Sequence, residues 1–326
     1  MATPAEITKA LIIKQLNQHL QALVGPRDPY LGEGRHQLTQ QYIRTEFARW
    51  GTPTSQRLTT QGRSSSSYNW QLTIPGKQPQ LAPILVGAHY DTVPGSPGAD
   101  DNASGVAVLL VLAELLSSAR PQTTKGQITI EQTTSEQTTK PQATKGQAIR
   151  EHISFEPQRP IHLVAFDLEE YGLVGSRTCV EKLRSQNAPL HLMLSLEMLG
   201  YFTSEPNSQG YPLAALSRLY PSTGDFIALV GNLGTIPKMM SLKRQFKKAG
   251  VPCQWLPVPN HGKQIPRVRD SDHSPFWDAG YPAIMVTDTA NLRNPHYHSA
   301  TDTLGTLNVE MMANVAQGLA RGLSRL

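Results

Sequence analysis

Six short stretches of this sequence carry side chains that bind metals or move protons: His89-Tyr90-Asp91, Asp100-Asp101-Asn102, Glu169-Glu170, Glu197, Asp272-His273 and His296-Tyr297-His298. Taken singly, each has an ordinary explanation. A histidine after a strand is commonly a satisfied one, an Asp-Asp-Asn before a helix caps free N–H groups, and a Glu pair in a loop is commonly solvated. Their joint occurrence points to chemistry. Imidazole and carboxylate are the ligands that zinc takes where cysteine is absent, and two neighbouring metals need a carboxylate to bridge them. Two zinc ions, three ligating carboxylates and one hydroxide sum to zero charge, which leaves one further glutamate free as a base. The adjacent Glu169 and Glu170 can supply one of each, because neighbouring side chains point in different directions.

These groups act together only if the fold brings them to one place, and the hydrophobic pattern supplies the means. Ile12, Leu16, Leu20 and Leu23 recur at helical spacing and Gly25-Pro26 stops the run. A second helix is predicted over 36–50. Strands are predicted at 56–60, 68–74, 81–88, 161–167, 190–197, 226–230, 254–258 and 283–287. Further helices are predicted over 103–118, 175–185, 235–249 and 308–323, the last with Met312, Val315, Leu319 and Leu323 on its apolar face, and another is possible between 197 and 226. About eight strands interleaved with helices, several in βα order, indicate an α/β fold: a three-layer α/β/α sandwich around a mainly parallel, mixed sheet. Ligands of such sheets bind beyond the carboxyl ends of the strands. His89, Glu169-Glu170 and Glu197 all sit at predicted carboxyl ends.

One segment departs from this pattern. From Gln122 to Glu151 the sequence divides into six pentads, each opened by glutamine. A period of five matches neither the 3.6 of a helix nor the 2 of a strand, and the Thr, Gln, Lys and Gly content offers little apolar surface to offset ordering. Residues 122–151 read as a disordered insertion in a single domain spanning 1–326. The alternative is a small Thr-rich β excursion or a partner tag.

Composition narrows the class. The 30 Lys+Arg and 25 Asp+Glu give a net charge of +5 with no basic block, which argues against nucleic acid as a partner. The longest clean apolar run, Val106 to Ala113, is far below the ~18 residues of a membrane span. Residues 1–20 lack the apolar core of a signal peptide, and a cytoplasmic location is expected. Two cysteines, Cys179 and Cys253, exclude a disulfide scaffold and a four-cysteine zinc site.

Five strings in order, GAHYDTVPGSPGADDNASG (87–105), FDLEEYGLVGS (166–176), SLEMLGY (195–201), SDHSPFWDAGYPA (271–283) and HYHSATDT (296–303), make the chain resemble the co-catalytic di-zinc aminopeptidases. That family includes bacterial leucyl-type aminopeptidases and, as relatives, glutamate carboxypeptidase and glutaminyl cyclase. The resemblance implies two zinc ions per chain. His89 would bind one zinc, Asp101 would bridge both, Glu170 and Glu197 would each bind one, and His298 would complete the second. It further implies that Asp91 orients His89, that Glu169 is the general base of a metal-bridged hydroxide, and that Tyr297 stabilises the tetrahedral oxyanion. Asp272 and His273 resemble a motif near the substrate pocket. The implied activity is hydrolysis of N-terminal residues from peptides with a free amine. Glutaminyl cyclase and carboxypeptidase share the scaffold and stand as alternatives, but GADDNASG and the Tyr beside His298 keep the form of the hydrolytic members. A binding protein on a dead scaffold would lack ligands, and all five are present. The sequence departs from the family at Glu197, an Asp in several members, and in the pentads, which fall between motifs.

Overall fold

The computed structural model describes residues 3–59, 66–117 and 155–326. The pentad segment lies outside the described residues. Helices α1 (Pro4–Leu23) and α2 (Glu33–Ala48) open the chain. Strands β1 (Thr54–Leu58), β2 (Ser67–Ile74) and β3 (Ile84–His89) follow, then α3 (Gly105–Leu116), β4 (Ile161–Phe166), α4 (Val174–Ser185) and β5 (Leu192–Glu197). The remainder is β6 (Ile227–Asn232), α5 (Ile236–Lys248), β7 (Cys253–Val258), α6 (His273–Asp278), β8 (Ala283–Thr287) and α7 (Val309–Leu323).

The eight strands form one sheet in the order β1-β2-β4-β3-β5-β8-β6-β7. Its centre, β4-β3-β5-β8, is parallel. β1 and β2 join antiparallel at one edge, and β6 pairs antiparallel with β8 while remaining parallel to β7. Helices cover both faces. On one, α1, α3, α5 and α7 pack together over the larger apolar cluster, with α2 against β2. On the other, α4 and α6 cover a smaller cluster around Phe166, Phe276 and Trp277.

Local sequence explains the elements. Thr3 and Glu6 cap α1 reciprocally, the Glu6 N–H donating to Thr3 Oγ1 at 3.3 Å and the Thr3 N–H to Glu6 Oε2 at 2.7 Å. Helix α3 (GVAVLLVLAELL) is apolar nearly all round and every residue of it is buried, as a helix between sheet and outer helices must be. The apolar stripe foreseen on α7, Met312, Val315, Leu319 and Leu323, is buried. Gly318 lets α5 approach: a Cβ there would stand 2.5 Å from the Phe246 ring. Between β5 and β6 only a short helical turn, Ala214–Arg218, forms. The six-residue α6 was not foreseen; it is too short to show a helical period. Among the described residues, no helix is long and apolar enough to cross a membrane.

The chain crosses from β3 to β4 on one side and returns past β3 to β5 on the other. This reversal is where α/β sheets open a crevice at their carboxyl ends. His89 ends β3, Glu169-Glu170 follow β4 and Glu197 ends β5.

Candidate metal centre

Every implied ligand converges on this crevice. His89 Nε2 lies 3.3 Å from Asp101 Oδ1 and 3.5 Å from Glu197 Oε1. His298 Nε2 lies 3.2 Å from Asp101 Oδ2 and 3.3 Å from Glu170 Oε2. Asp101 thus stands between two imidazoles, one per oxygen. His89 and Asp101 are buried, and the His298 side chain keeps 35% of its surface exposed, on the open side. Ligand atoms of His89, Glu169 and Glu197 lie within 4.8 Å of one another, as do those of His89, Asp101 and Glu170. Glu169 therefore sits on the His89–Glu197 side, close enough that geometry alone allows it as ligand or base.

Backbone devices fix these side chains. Asp101 belongs to an irregular helical turn, Ala99–Ser104, entered through Gly98. Gly98 has φ of 59°, and a Cβ there would stand 2.4 Å from the Asp101 carbonyl oxygen, so glycine is required. Asp302 accepts from the N–H groups of Asp100 (2.8 Å) and Asp101 (3.0 Å). Asn102 ties the turn to the end of β5, accepting from Met198 N–H at 3.1 Å and donating to the Leu196 carbonyl at 2.8 Å. The Ser271 hydroxyl donates to Glu197 Oε2 at 2.6 Å and lies 3.0 Å from Ser195 Oγ, leaving Oε1 toward His89. Nothing in the local sequence marks Ser271, Asn102 and Asp302 as positioning groups, although they lie within 271–283, 87–105 and 296–303, the stretches that carry the family resemblance.

Asp91 does more than was foreseen. Its Oδ1 is 3.4 Å from His89 Nδ1, a contact without hydrogen-bond alignment, since Nδ1 has no aligned partner among the described residues. Its well-formed bonds are to backbone: the N–H of Glu169 donates to Oδ1 at 3.1 Å and that of Glu170 to Oδ2 at 3.2 Å. Asp91 thereby sets the two glutamates against His89. The Tyr297 ring stacks on His298 with centroids 3.8 Å apart. His273 is not part of the cluster. Its Nε2 meets the Val268 carbonyl at 2.8 Å, its ring packs edge-on to Trp277, and burial lowers it to about 4. Asp272 is buried beside the cluster with neither oxygen well partnered among the described residues, though Ser176 lies alongside. Burial, opposed by His89 and helped by Glu197, pushes its carboxyl up to about 7. His296 turns to Thr301 at 2.8 Å.

Charge crowding shapes protonation. Burial alone would lower His89, but Glu169, Glu197, Asp101 and Asp91 hold it well above its ordinary range. His298 rises to about 10, because Asp101 and Glu170 outweigh burial. Burial, with Asp101 adding to it against His298, raises Glu170 to about 7. Such a cluster holds protons that a divalent cation displaces on binding.

The residues fit zinc. The donors are imidazole nitrogens and carboxylate oxygens, Glu170 Oε1 is buried without a partner among the described residues, and Asp101 offers a separate oxygen to each side. Three protein donors on each side also leave a position for water or substrate, as catalytic zinc sites do.

An open α/β sheet with this cluster at its strand ends has the architecture and donor set of a metal-dependent enzyme. The chain belongs to peptidase family M28, whose profile matches residues 69–322. It is 36% identical over 290 residues to the uncharacterised protein YfbL of Escherichia coli, covering 86% of this chain and 77% of YfbL. It is 26% identical over 286 residues to the probable lipoprotein aminopeptidase LpqL of Mycobacterium tuberculosis, covering 82% of this chain and 47% of LpqL, so it spans about half of that relative. Among solved structures, the LapA aminopeptidase of Legionella pneumophila superposes with a TM-score of 0.62 at 19% identity, over 99% of this chain and 74% of LapA. The glutaminyl cyclase of Macrostomum lignano gives 0.63 at 14% identity, over 99% and 92%. At these identities the two structures share the fold.

Proposed function

We propose that this chain is a zinc-dependent aminopeptidase that releases N-terminal residues from peptides with a free α-amino group, and that residues 1–326 act as one peptidase domain. The observation that carries the reading is Asp101, whose two oxygens face His89 beside Glu197 and His298 beside Glu170. Under this reading His89, Asp101 and Glu197 hold one zinc ion, and Asp101, Glu170 and His298 hold a second. When bound, the pair polarises the scissile carbonyl and makes water acidic enough to be a nucleophile near neutral pH.

The chain's own groups do the rest. Glu169 takes a proton from the attacking water onto a carboxylate oxygen and hands it to the leaving amine. Asp91, bonded to the Glu169 and Glu170 N–H groups, keeps base and ligand in register with His89. Burial and the carboxylates of Asp101, Glu197, Glu170 and Glu169 hold the Tyr297 phenol far above its ordinary range, so it stays protonated and can donate to the developing oxyanion.

The test is a panel of aminoacyl-arylamides and short peptides, each free and N-acetylated, followed by mass. Loss of whole N-terminal residues from the free forms only is expected, including from a peptide that begins with Gln. Loss of ammonia alone from that peptide, with no cleavage elsewhere, would identify a cyclase instead.

A further inference from the structure

Between His89 and the turn that carries Asp101, residues 90–98 form a loop with no helix or strand in it. The loop has two limbs. Residues 90–92 leave β3, and residues 96–98 lead into the turn. Among the described residues no direct hydrogen bond joins one limb to the other. Arg27, in the connection between α1 and α2, joins them instead. Its Nε donates to the Tyr90 carbonyl at 2.9 Å, and its backbone N–H to Thr92 Oγ1 at 2.9 Å. On the far limb, Nη1 donates to the Pro97 carbonyl at 2.8 Å and Nη2 to the Gly98 carbonyl at 2.8 Å. Nη1 also reaches the carbonyls of Leu23 at 2.9 Å and Gly25 at 3.0 Å, which anchors the guanidinium to the end of α1.

This is a buried charge with a directional task. Arg27 is only 1% exposed, and the five acceptors of its side chain are all backbone carbonyls. Burying a charge is costly unless it is hydrogen-bonded and offset. Burial pulls the guanidinium down to about 10, opposed by the carboxylates of Asp101, Asp302 and Asp91. It stays protonated near neutral pH, and the acids that offset it are a ligand of the metal centre and two groups that brace its ligands. The fit is tight, since a Cβ on Gly98 would stand 2.8 Å from Nη2. A planar fork of five N–H donors can serve carbonyls on two limbs at once. A lysine ammonium carries three donors on one atom and cannot span them.

We propose that Arg27 is a positioning residue for the shared carboxylate: by tying the two limbs together it sets His89 and Asp101 at the separation, 3.3 Å from Nε2 to Oδ1, that a common metal requires. Because Asp101 faces both halves of the centre, loss of the tie weakens both zinc sites together. Loss of a group that braces a single ligand weakens one. The inference rests on the two-zinc reading for its metals, and its test separates the two.

The test uses Arg27→Lys in the full chain, which keeps the charge and removes the fork. The first arm is chelator titration of the zinc-loaded protein. Both equivalents should bind about 10–100-fold more weakly than in the wild type, the scale for partners that orient metal ligands. The visible absorption of the cobalt-loaded variant should shift, because it reports ligand geometry, which a loss of stability alone leaves unchanged. The second arm needs no metal: hydrogen exchange of the chelator-treated proteins, read by mass. Exchange should rise in residues 90–104 and stay at the wild-type level in β6 and β7. If Arg27→Lys does not fold, Thr92→Val takes its place; it removes the acceptor of the Arg27 N–H and should give smaller shifts in the same directions. Faster exchange confined to 90–104, in a protein whose wild type binds no zinc, would uphold the tie across the loop while overturning the zinc reading. Zinc affinity and cobalt spectrum as in the wild type, release of only one equivalent, or exchange at 90–104 that is unchanged or rises equally throughout the chain, would overturn the role given to Arg27.

Discussion

Asp101 faces His89 with one oxygen and His298 with the other, Oδ1 to Nε2 at 3.3 Å and Oδ2 to Nε2 at 3.2 Å. The two histidines come from opposite ends of the site's sequence span, one closing β3 and the other in the loop after β8. A carboxylate that reaches both is placed to serve two cations at once, and the whole reading depends on it.

Asp101→Ala should therefore lower zinc content at both sites, from near two equivalents to below one. His298→Ala should lose close to one, because His89, Asp101 and Glu197 remain. Elemental analysis after dialysis checks both. Equal losses in the two variants would argue against a shared carboxylate.

Glu169→Gln keeps size and polarity but removes the base. We expect kcat to fall about 10²–10⁴-fold, the scale of general acid–base catalysis, with zinc content and KM changed far less. Loss of zinc in this variant would make Glu169 a ligand and reverse the assignment of the Glu169-Glu170 pair, which its proximity to His89 and Glu197 makes a real contest.

Ser271 should act through Glu197. Its hydroxyl holds Oε2 at 2.6 Å, and removing such an outer partner costs about 10–100-fold in metal affinity. In Ser271→Ala, chelator titration should release one zinc equivalent earlier than in the wild type and leave the second unchanged. Two equivalents released together as in the wild type would show that Ser271 does not position the ligand.

A pH effect is expected far from the metals. His19 on α1 is buried with Nδ1 2.7 Å from the Tyr42 hydroxyl on α2, and burial, aided by Arg49, lowers it to about 3. Its folded value lies below the unfolded value near 6.5, so the unfolded chain binds the extra proton. Above that value the group has no effect on stability; between pH 6.5 and 3 stability falls as pH falls, by up to about 1.4 kcal/mol per unit. Urea unfolding of His19→Gln should show a shallower decline over this window. An unchanged slope would mean that His19 titrates alike in both states.

Much of this was legible in the chain. β8 forms over the predicted residues, and most other strands and helices fall within about three residues of theirs, because apolar period and turn residues mark them strongly. The placement of His89, Glu169-Glu170 and Glu197 at strand ends was readable from the pattern, whereas Asp101 and His298 were singled out by the family resemblance. Three features were not. The antiparallel attachment of β6 to β8 depends on tertiary pairing, which no local pattern encodes. The short α6 is set by His273 and Trp277 packing under the sheet. The holding groups Asp302, Asn102 and Ser271 look like ordinary polar loop residues until folding brings them against Asp101 and Glu197. Asp91 shows the same limit: its tie to His89 could be inferred from the family, but its bonds to the Glu169 and Glu170 N–H groups required the fold.

Anomalous diffraction at the zinc edge from crystals of the active, zinc-loaded protein tests the central claim most directly. The account predicts two peaks, one flanked by His89 and Glu197, the other by Glu170 and His298, with Asp101 touching both. A fully active crystal form with no zinc peak, or with a single peak that Asp101 does not touch, would contradict it.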